Sequence, residues 1–396
     1  MSLPRRKWLV LAVFALTAGL SQFLWLNLAP LISLIQHKYS VTESVAGIPL
    51  LVFPAVYVLL SVHAGSLIDR RGYRFAIVVG TALMAGFACL RVVDTSFALL
   101  VIAQTGISIG QPYVVNGISK LVLDWFDHED EAIATGIGTA GMFIGMAVGM
   151  AASSPLVERL GYPGAMGVIG LVSLGIFAAV WLVIHPNSAC EGRMAGPPEA
   201  IGAHLGALLR DRDLLLIFVM AFLGLGYING LMTWIEPILR ATGFDSGQAG
   251  LVGGVLVVGG IVGSAIIPGL SDRFRRRKPF LVACILAALA TIYPLCRGGD
   301  FGTALALGAL HGFLFLPGYA LLLAMAAEAA GSRRSGAATG VLMLTGNVGA
   351  VLVIMAMQWV KSDITGFGPS IHLMAVLLAG GAALAFVVGE TYSRQK

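Results

Sequence analysis

Gly65-Ser-Leu-Ile-Asp69-Arg70-Arg71-Gly72, followed by Tyr73 and Arg74, closes one apolar run, and Gly269-Leu-Ser-Asp272-Arg273-Phe-Arg275-Arg276 closes another. The two stretches begin 204 residues apart. The same offset carries Ala134-Thr135-Gly136 to Ala338-Thr339-Gly340, and Asp124 to Glu328. Three matches in one register read as a duplicated half, and everything else in the chain is arranged around that duplication.

The material between the copies is apolar. Of 396 residues, 58% are hydrophobic and 11% charged, with a mean hydropathy of +0.89, whereas an ordinary soluble domain carries about 25% charged residues. Apolar stretches long enough to cross a hydrocarbon core of about 30 Å recur from end to end. Spans 1 to 6 are expected at residues 8–35, 45–68, 75–93, 97–124, 132–152 and 163–185. Spans 7 to 12 are expected at 210–238, 246–270, 279–296, 302–327, 336–358 and 367–389. The expected fold class is therefore an all-α membrane protein of twelve transmembrane helices in two six-helix bundles. The bundles are residues 1–185 and 210–396, with a cytoplasmic linker at 186–209. Because the second signature returns after an even number of crossings, the halves are expected to be related by an axis along the membrane normal. The first run follows Arg5, Arg6 and Lys7 as a signal peptide would, but is about twice the apolar length of one and is kept as a helix.

Lysine and arginine orient the spans. With the N-terminus inside, inward segments hold all 25 basic residues except Lys38, Arg91, Arg159, Arg240, Arg297 and Lys361. That bias satisfies the positive-inside rule and puts both termini in the cytoplasm. The net charge of +5 is spread over connecting segments, which excludes a nucleic-acid surface. Cys89, Cys190, Cys284 and Cys296 are scattered, without disulfide or metal-ligand spacing. Gly136-Ile-Gly138-Thr-Ala-Gly141 has the form of a dinucleotide loop, but no strand precedes it and Gly145 and Gly149 continue the series at spacing four. It is expected to be a helix-packing face, as are Gly253, Gly254, Gly259, Gly260 and Gly263, and no cofactor is expected. No nucleophile, metal set or acid/base pair clusters at one depth, so the chain is not expected to be an enzyme.

The pattern Gly65-x-x-x-Asp69-Arg70-x-Gly72-x-Arg74 resembles the loop signature of the major facilitator superfamily, with a weaker copy at Asp272 and Arg273. The likeness covers almost the whole chain. It implies the major facilitator fold and alternating access, in which the halves rock around a site at mid-membrane. Asp69 is expected to take hydrogen bonds from a helix N-terminus, and Arg70 or Arg74 to pair with an acid such as Asp124 or Glu328. Gly65, Asp69, Arg70, Gly72, Arg74, Asp124, Asp272, Arg273 and Glu328 make up the expected cytoplasmic gate. The proton-coupled drug antiporters of that superfamily usually carry an arginine in helix 4 and a Gly-Pro pair late in helix 5. Here those stretches offer Gln104 and Gly149-Met150.

Polar and aromatic residues near the middles of the spans mark the expected substrate site: Trp25, Asn27, Gln111, Tyr227, Asn229 and Asn347. Uncharged amides supply donors and acceptors and an indole supplies an electron-rich face, a set suited to a small cation or zwitterion. Phe313 and Tyr319 are lesser candidates beside them. Bonding between helices is the competing role for each amide. His63 and His311 lie within spans, and Glu236 is the one carboxylate there. Glu236 and His311 are the candidates for coupling, since a carboxylate at a helix centre costs at least ~2.5 kcal/mol.

The stretch from Gln104 through Gln111-Pro112 to Trp125-Phe126 resembles helix 4 of the transporters related to the feline leukaemia virus subgroup C receptor. Those carry choline, and haem was proposed earlier. The resemblance assigns that family's helix 1 aromatic to Trp25, its helix 4 glutamine to Gln111 and its helix 11 glutamine to Asn347. Its helix 7 tyrosine falls on Asn229, which removes half of an aromatic cage unless Tyr227 turns inward. The expected function is secondary transport of a small organic solute, such as a choline-like amine. Proton-coupled export of drugs or metabolites, an organic-anion facilitator and a transporter-like receptor are the alternatives. Expected partners are the substrate, the lipid bilayer and, if Glu236 or His311 couples, protons. The chain is expected to be a monomer in the plasma (inner) membrane.

Overall fold

A computed structural model of the chain describes residues 3–127, 129–185, 201–297, 299–331, 334–362, 364 and 366–392. These form helices α1 (Leu3–Leu26), α2 (Ile32–Tyr39), α3 (Glu43–Ala46), α4 (Ile48–Leu90), α5 (Phe97–Val115), α6 (Ile118–Trp125) and α7 (Glu131–Val183). They continue with α8 (Ile201–Leu208), α9 (Arg212–Arg240), α10 (Ser246–Phe274), α11 (Lys278–Cys296), α12 (Phe301–Ala330), α13 (Ser335–Trp359) and α14 (Gly368–Val387). Among the described residues there is no β-strand, only an isolated bridge between Ser362 and Gly366.

Among the described residues ten continuous stretches are long and apolar enough to cross a membrane, and two of them are double. Gly72 interrupts α4 at φ 81°, ψ 157°, and Gly161 interrupts α7 at φ 69°, ψ 168°. A side chain is excluded from that region of backbone space and glycine is not. Spans 2 and 3, and likewise 5 and 6, therefore follow one another through a single reversed residue, and the twelve expected runs become twelve helical segments.

Two expected runs are broken rather than straight. Span 1 is α1, then a 3₁₀ turn at Ala29–Leu31 carrying Pro30, then α2. Proline has no N–H to continue the ladder, and Asn27 lies in the break instead of mid-helix. Span 4 divides into α5 and α6 at Asn116 and Gly117.

The chain divides into two compact units, Met1–Pro198 and Glu199–Lys396. The expected linker lies outside the described residues as far as residue 200, and α8 occupies Ile201–Leu208. In the first unit α1 packs on α7 and α4 on α5; in the second α9 packs on α13 and α10 on α12. These are the same pairings displaced by one half. The glycine series is what lets α7 approach α1: Cβ atoms on Gly141, Gly145 and Gly149 would press on the backbones of Ala15, Gly19 and Phe23. Gly349, 204 residues after Gly145, lies in the same way against the carbonyl of Phe222.

The loop signatures share a spacing, with ψ 157° at Gly72 and 39° at Arg275. Gly72 stands three residues after Asp69, and Arg275, with φ 55°, stands three after Asp272. The second copy has one residue fewer between glycine and aspartate, yet the acid keeps its distance from the left-handed residue that ends the helix.

Candidate functional site

In the first unit Trp25 is buried near the end of α1, where its Nε1 donates to the Leu50 carbonyl at 2.9 Å. Its ring lies 4.8 Å from that of Phe53, which lies 5.9 Å from that of Tyr57. One turn before Trp25, the Ser21 carbonyl accepts from Nε2 of Gln111 at 2.5 Å. A carbonyl can only accept, so the amide must present its NH₂ there and turn Oε1 away. That oxygen is buried and has no hydrogen-bond partner among the described residues.

The two amides of the second unit are oriented alike. Asn229 of α9 donates Nδ2 to Leu225 O at 2.8 Å, and Asn347 of α13 donates Nδ2 to Met343 O at 2.9 Å. Each carbonyl lies four residues back on the same helix. Each of the three amides thus gives a donor to a backbone carbonyl, Gln111 in the first unit and Asn229 and Asn347 in the second.

Tyr227 does not join them. Its hydroxyl meets Nε2 of His311 at 2.7 Å, and Nδ1 of His311 meets Thr291 Oγ1 at 2.7 Å. Thr291 also donates to the Ala287 carbonyl at 2.9 Å, so its oxygen accepts from Nδ1–H. Both ring nitrogens are in use. Glu236, fully buried, accepts from Ser246 Oγ at 2.8 Å and has Arg240 Nη1 at 3.7 Å. Asn27 turns its Oδ1 to Arg91 Nη1 at 3.1 Å. His63 is bonded to Tyr113 Oη at 2.8 Å.

Of the expected gate residues, Asp69, Arg74, Asp124, Asp272 and Glu328 make contacts at helix ends. Asp69 pairs with Lys120 at 2.5 Å, and Arg74 donates Nε to the Ile184 carbonyl at 2.8 Å. Asp124 accepts from the Tyr73 hydroxyl at 2.6 Å, and Trp125 Nε1 reaches the same hydroxyl at 2.9 Å. In the second unit Glu328 is held not by Arg273, which is exposed, but by Arg277, at 2.8 Å from Nη2 and 3.0 Å from Nε. Arg277 also pairs with Asp272 at 2.6 Å, and Thr391 donates to the other oxygen of Glu328 at 2.6 Å. Burial alone would lower the Arg277 pKa, but hydrogen bonding and charge from Glu328, with Asp272, outweigh it and raise the value.

Tyr73 and Arg277 are themselves 204 residues apart, as are Asp124 and Glu328. The duplicated position therefore keeps its acid and its contact while exchanging a phenol for a guanidinium. Lys278, equivalent to Arg74, likewise donates to a carbonyl late in the last helix of its half, Phe386 O at 2.7 Å. Within Arg275-Arg276-Arg277-Lys278 only Arg277 is buried, and an unbroken run of cations carries no period that marks it. Arg91 is the other residue missed. Read as an outer-loop cation, it is 2% exposed. No His, Cys, Asp or Glu cluster among the described residues has the geometry to hold a metal ion.

Residues 14–353 and 214–396 match the family described as Major Facilitator Superfamily. An uncharacterized protein of Archaeoglobus fulgidus is 34% identical over 222 residues, 56% of this chain and 100% of that one. The human choline/ethanolamine transporter FLVCR2 is 22% identical over 420 residues, 100% of this chain and 80% of that one. Among solved structures, an inward-facing, unoccupied bacterial homolog of the human lysosomal transporter Spinster superposes with a TM-score of 0.79. That chain is 15% identical, with 97% of each chain covered.

Proposed function

The chain belongs to the Major Facilitator Superfamily and is a multi-pass membrane transporter of a small molecule, and from that premise we propose that its solute is a small organic cation, or a zwitterion with a cationic head, of the choline or ethanolamine type. The observation that carries this reading is the run of rings Trp25, Phe53 and Tyr57 in the first unit, with the uncharged amide of Gln111 one turn away on Ser21. Amide oxygens attract N–H donors and the polarised methyl groups of a quaternary nitrogen. The Trp25, Phe53 and Tyr57 rings add faces of the kind that attract cations. The relation to FLVCR2, a choline/ethanolamine transporter by name, points the same way.

Transport proceeds by alternating access, with the two bundles as the moving bodies and the helix-end networks as a latch that breaks when the cytoplasmic face opens. His311 has both ring nitrogens engaged, and Glu236 has Ser246 and Arg240 beside it. Neither arrangement calls for a proton, and facilitated diffusion is the simpler coupling. The lysine and arginine asymmetry supports cytoplasmic termini in a plasma membrane, and a monomer suffices for the scheme.

Thermal stabilisation of the purified protein tests the solute class, because a ligand that prefers the native state raises stability. Choline and ethanolamine should raise Tm, and Trp25→Ala and Gln111→Ala should reduce the shift. Stabilisation by organic anions alone would contradict the reading.

A further inference from the structure

We propose that the loop between α10 and α11 binds the headgroup of an anionic phospholipid, whose acyl chains lie against the apolar side chains flanking the loop. Five of the six residues from Arg273 to Lys278 are cations. Two of the five are committed within the second unit: Arg277 to Asp272 and Glu328, and Lys278 to the Phe386 carbonyl. Arg273, Arg275 and Arg276 are exposed, and none has an ion pair or side-chain hydrogen bond among the described residues. The carboxylates nearby are already engaged. Asp272 is held by Arg277, Glu328 by Arg277 and Thr391, and Glu390 by the backbone N–H groups of Arg277 and Lys278. Three cations within four residues therefore stand at the end of α10 with no counter-charge from the described part of the fold.

What flanks these cations is apolar. Phe274, between Arg273 and Arg275, is 64% exposed, and its ring lies 6.0 Å from that of Phe280 on α11. Residues four apart share a helix face, and the exposed side chains of Val262, Ile266 and Leu270 lead along α10 to Phe274. On α11 Leu286 is exposed as well. In water the Phe274 ring would leave its apolar area unburied, whereas a phosphodiester carrying hydrocarbon chains matches the ring and its charged neighbours together. Guanidinium groups bind phosphate through paired N–H donors, and cations beside a membrane attract anionic lipid. The apolar flank is what selects a lipid over free phosphate, for which the cations alone would serve. The first loop signature is the weaker candidate, with only Arg70 and Arg71 exposed and the Arg71 guanidinium already resting over the Phe75 ring at 5.1 Å. The lipid site does not depend on the solute proposed above.

The test is Tm of the full-length purified protein in detergent micelles titrated with phosphatidylglycerol, with phosphatidylcholine, or with sodium phosphate. Phosphatidylglycerol should raise Tm saturably, by several degrees more than phosphatidylcholine at the same mole fraction, and sodium phosphate should not reproduce the rise. The double variant Arg275→Gln/Arg276→Gln removes side chains with no partner among the described residues, so its Tm in phosphatidylcholine should equal that of wild type. Its half-saturating phosphatidylglycerol fraction should rise about fivefold for each arginine lost. Phe274→Ser, which leaves every cation in place, should weaken the same response and keeps the test decisive if the double variant fails to fold. Arg70→Gln/Arg71→Gln removes equal charge from the first loop and should keep most of the response. Equal shifts with the two lipids, a rise with sodium phosphate alone, or equal losses in the two arginine double variants would overturn the site.

Discussion

At Gln111 the side-chain amide is oriented by the backbone it touches, and the same holds at Asn229 and Asn347. In each unit, ordinary hydrogen bonds to carbonyls set which way these amides point. Gln111→Ala and Asn347→Ala should each weaken amine binding by roughly 1 kcal/mol, about fivefold, with folded yield unchanged, as isothermal titration of the purified variants would register. Asn347→Asp keeps an acceptor and adds charge. Since charge-assisted hydrogen bonds are roughly twice as strong as neutral ones, it should tighten amine binding about fivefold. These amides were legible in the sequence as residues but not as polarities, because which end is free depends on the carbonyl a neighbouring turn brings into reach. Tyr227 is a related case. Its hydroxyl has a buried histidine within 2.7 Å, on a helix 84 positions away in the chain.

Helix ends carry the next set of consequences. Arg277 and Glu328 form a pair of which both side chains are under 10% exposed, while Lys120 and Asp69 are 36% and 26% exposed. Removing one member of a buried pair strands the other and costs about 3–5 kcal/mol, whereas an exposed pair contributes about 0–1 kcal/mol. Glu328→Ala should lower Tm steeply and Asp69→Asn hardly at all, although Asp69→Asn should still alter exchange rates if the loop acts as a latch. A Glu328→Ala protein as stable as Asp69→Asn would show that the buried network is not a structural tie. The α1–α7 contact gives a second check. Gly145→Ala puts a methyl group against the Gly19 backbone, which has no flexible end to move aside. Overpacking of this kind costs typically about 1–3 kcal/mol, read as a fall in Tm with the helical circular-dichroism spectrum preserved. Most of the helix plan was legible from apolar runs, and the reversal at Gly72 fell on a glycine of the quoted signature. The break after α1 falls at Pro30, a signal present in the sequence that the length of the apolar run from Trp8 to Ile35 outweighed.

At the scale of the whole chain, duplication explains the most with the least. One offset of 204 residues relates the loop signatures, the acids at Asp124 and Glu328, the contacts made to those acids, and the glycines at 145 and 349. It made two six-helix halves readable before any coordinates, since a repeated half must bury the same faces twice. It carries no information about the solute, because the two halves have diverged where solute contacts are expected: Trp25 and Gln111 have no indole or glutamine 204 residues on. The central claim is that the chain moves a small organic cation, and the most direct test is uptake by the purified protein reconstituted in liposomes, with labelled choline and ethanolamine set against labelled organic anions. Saturable, cation-selective uptake that falls in Gln111→Ala and Asn347→Ala is the predicted result; uptake of anions with no flux of either amine would contradict it.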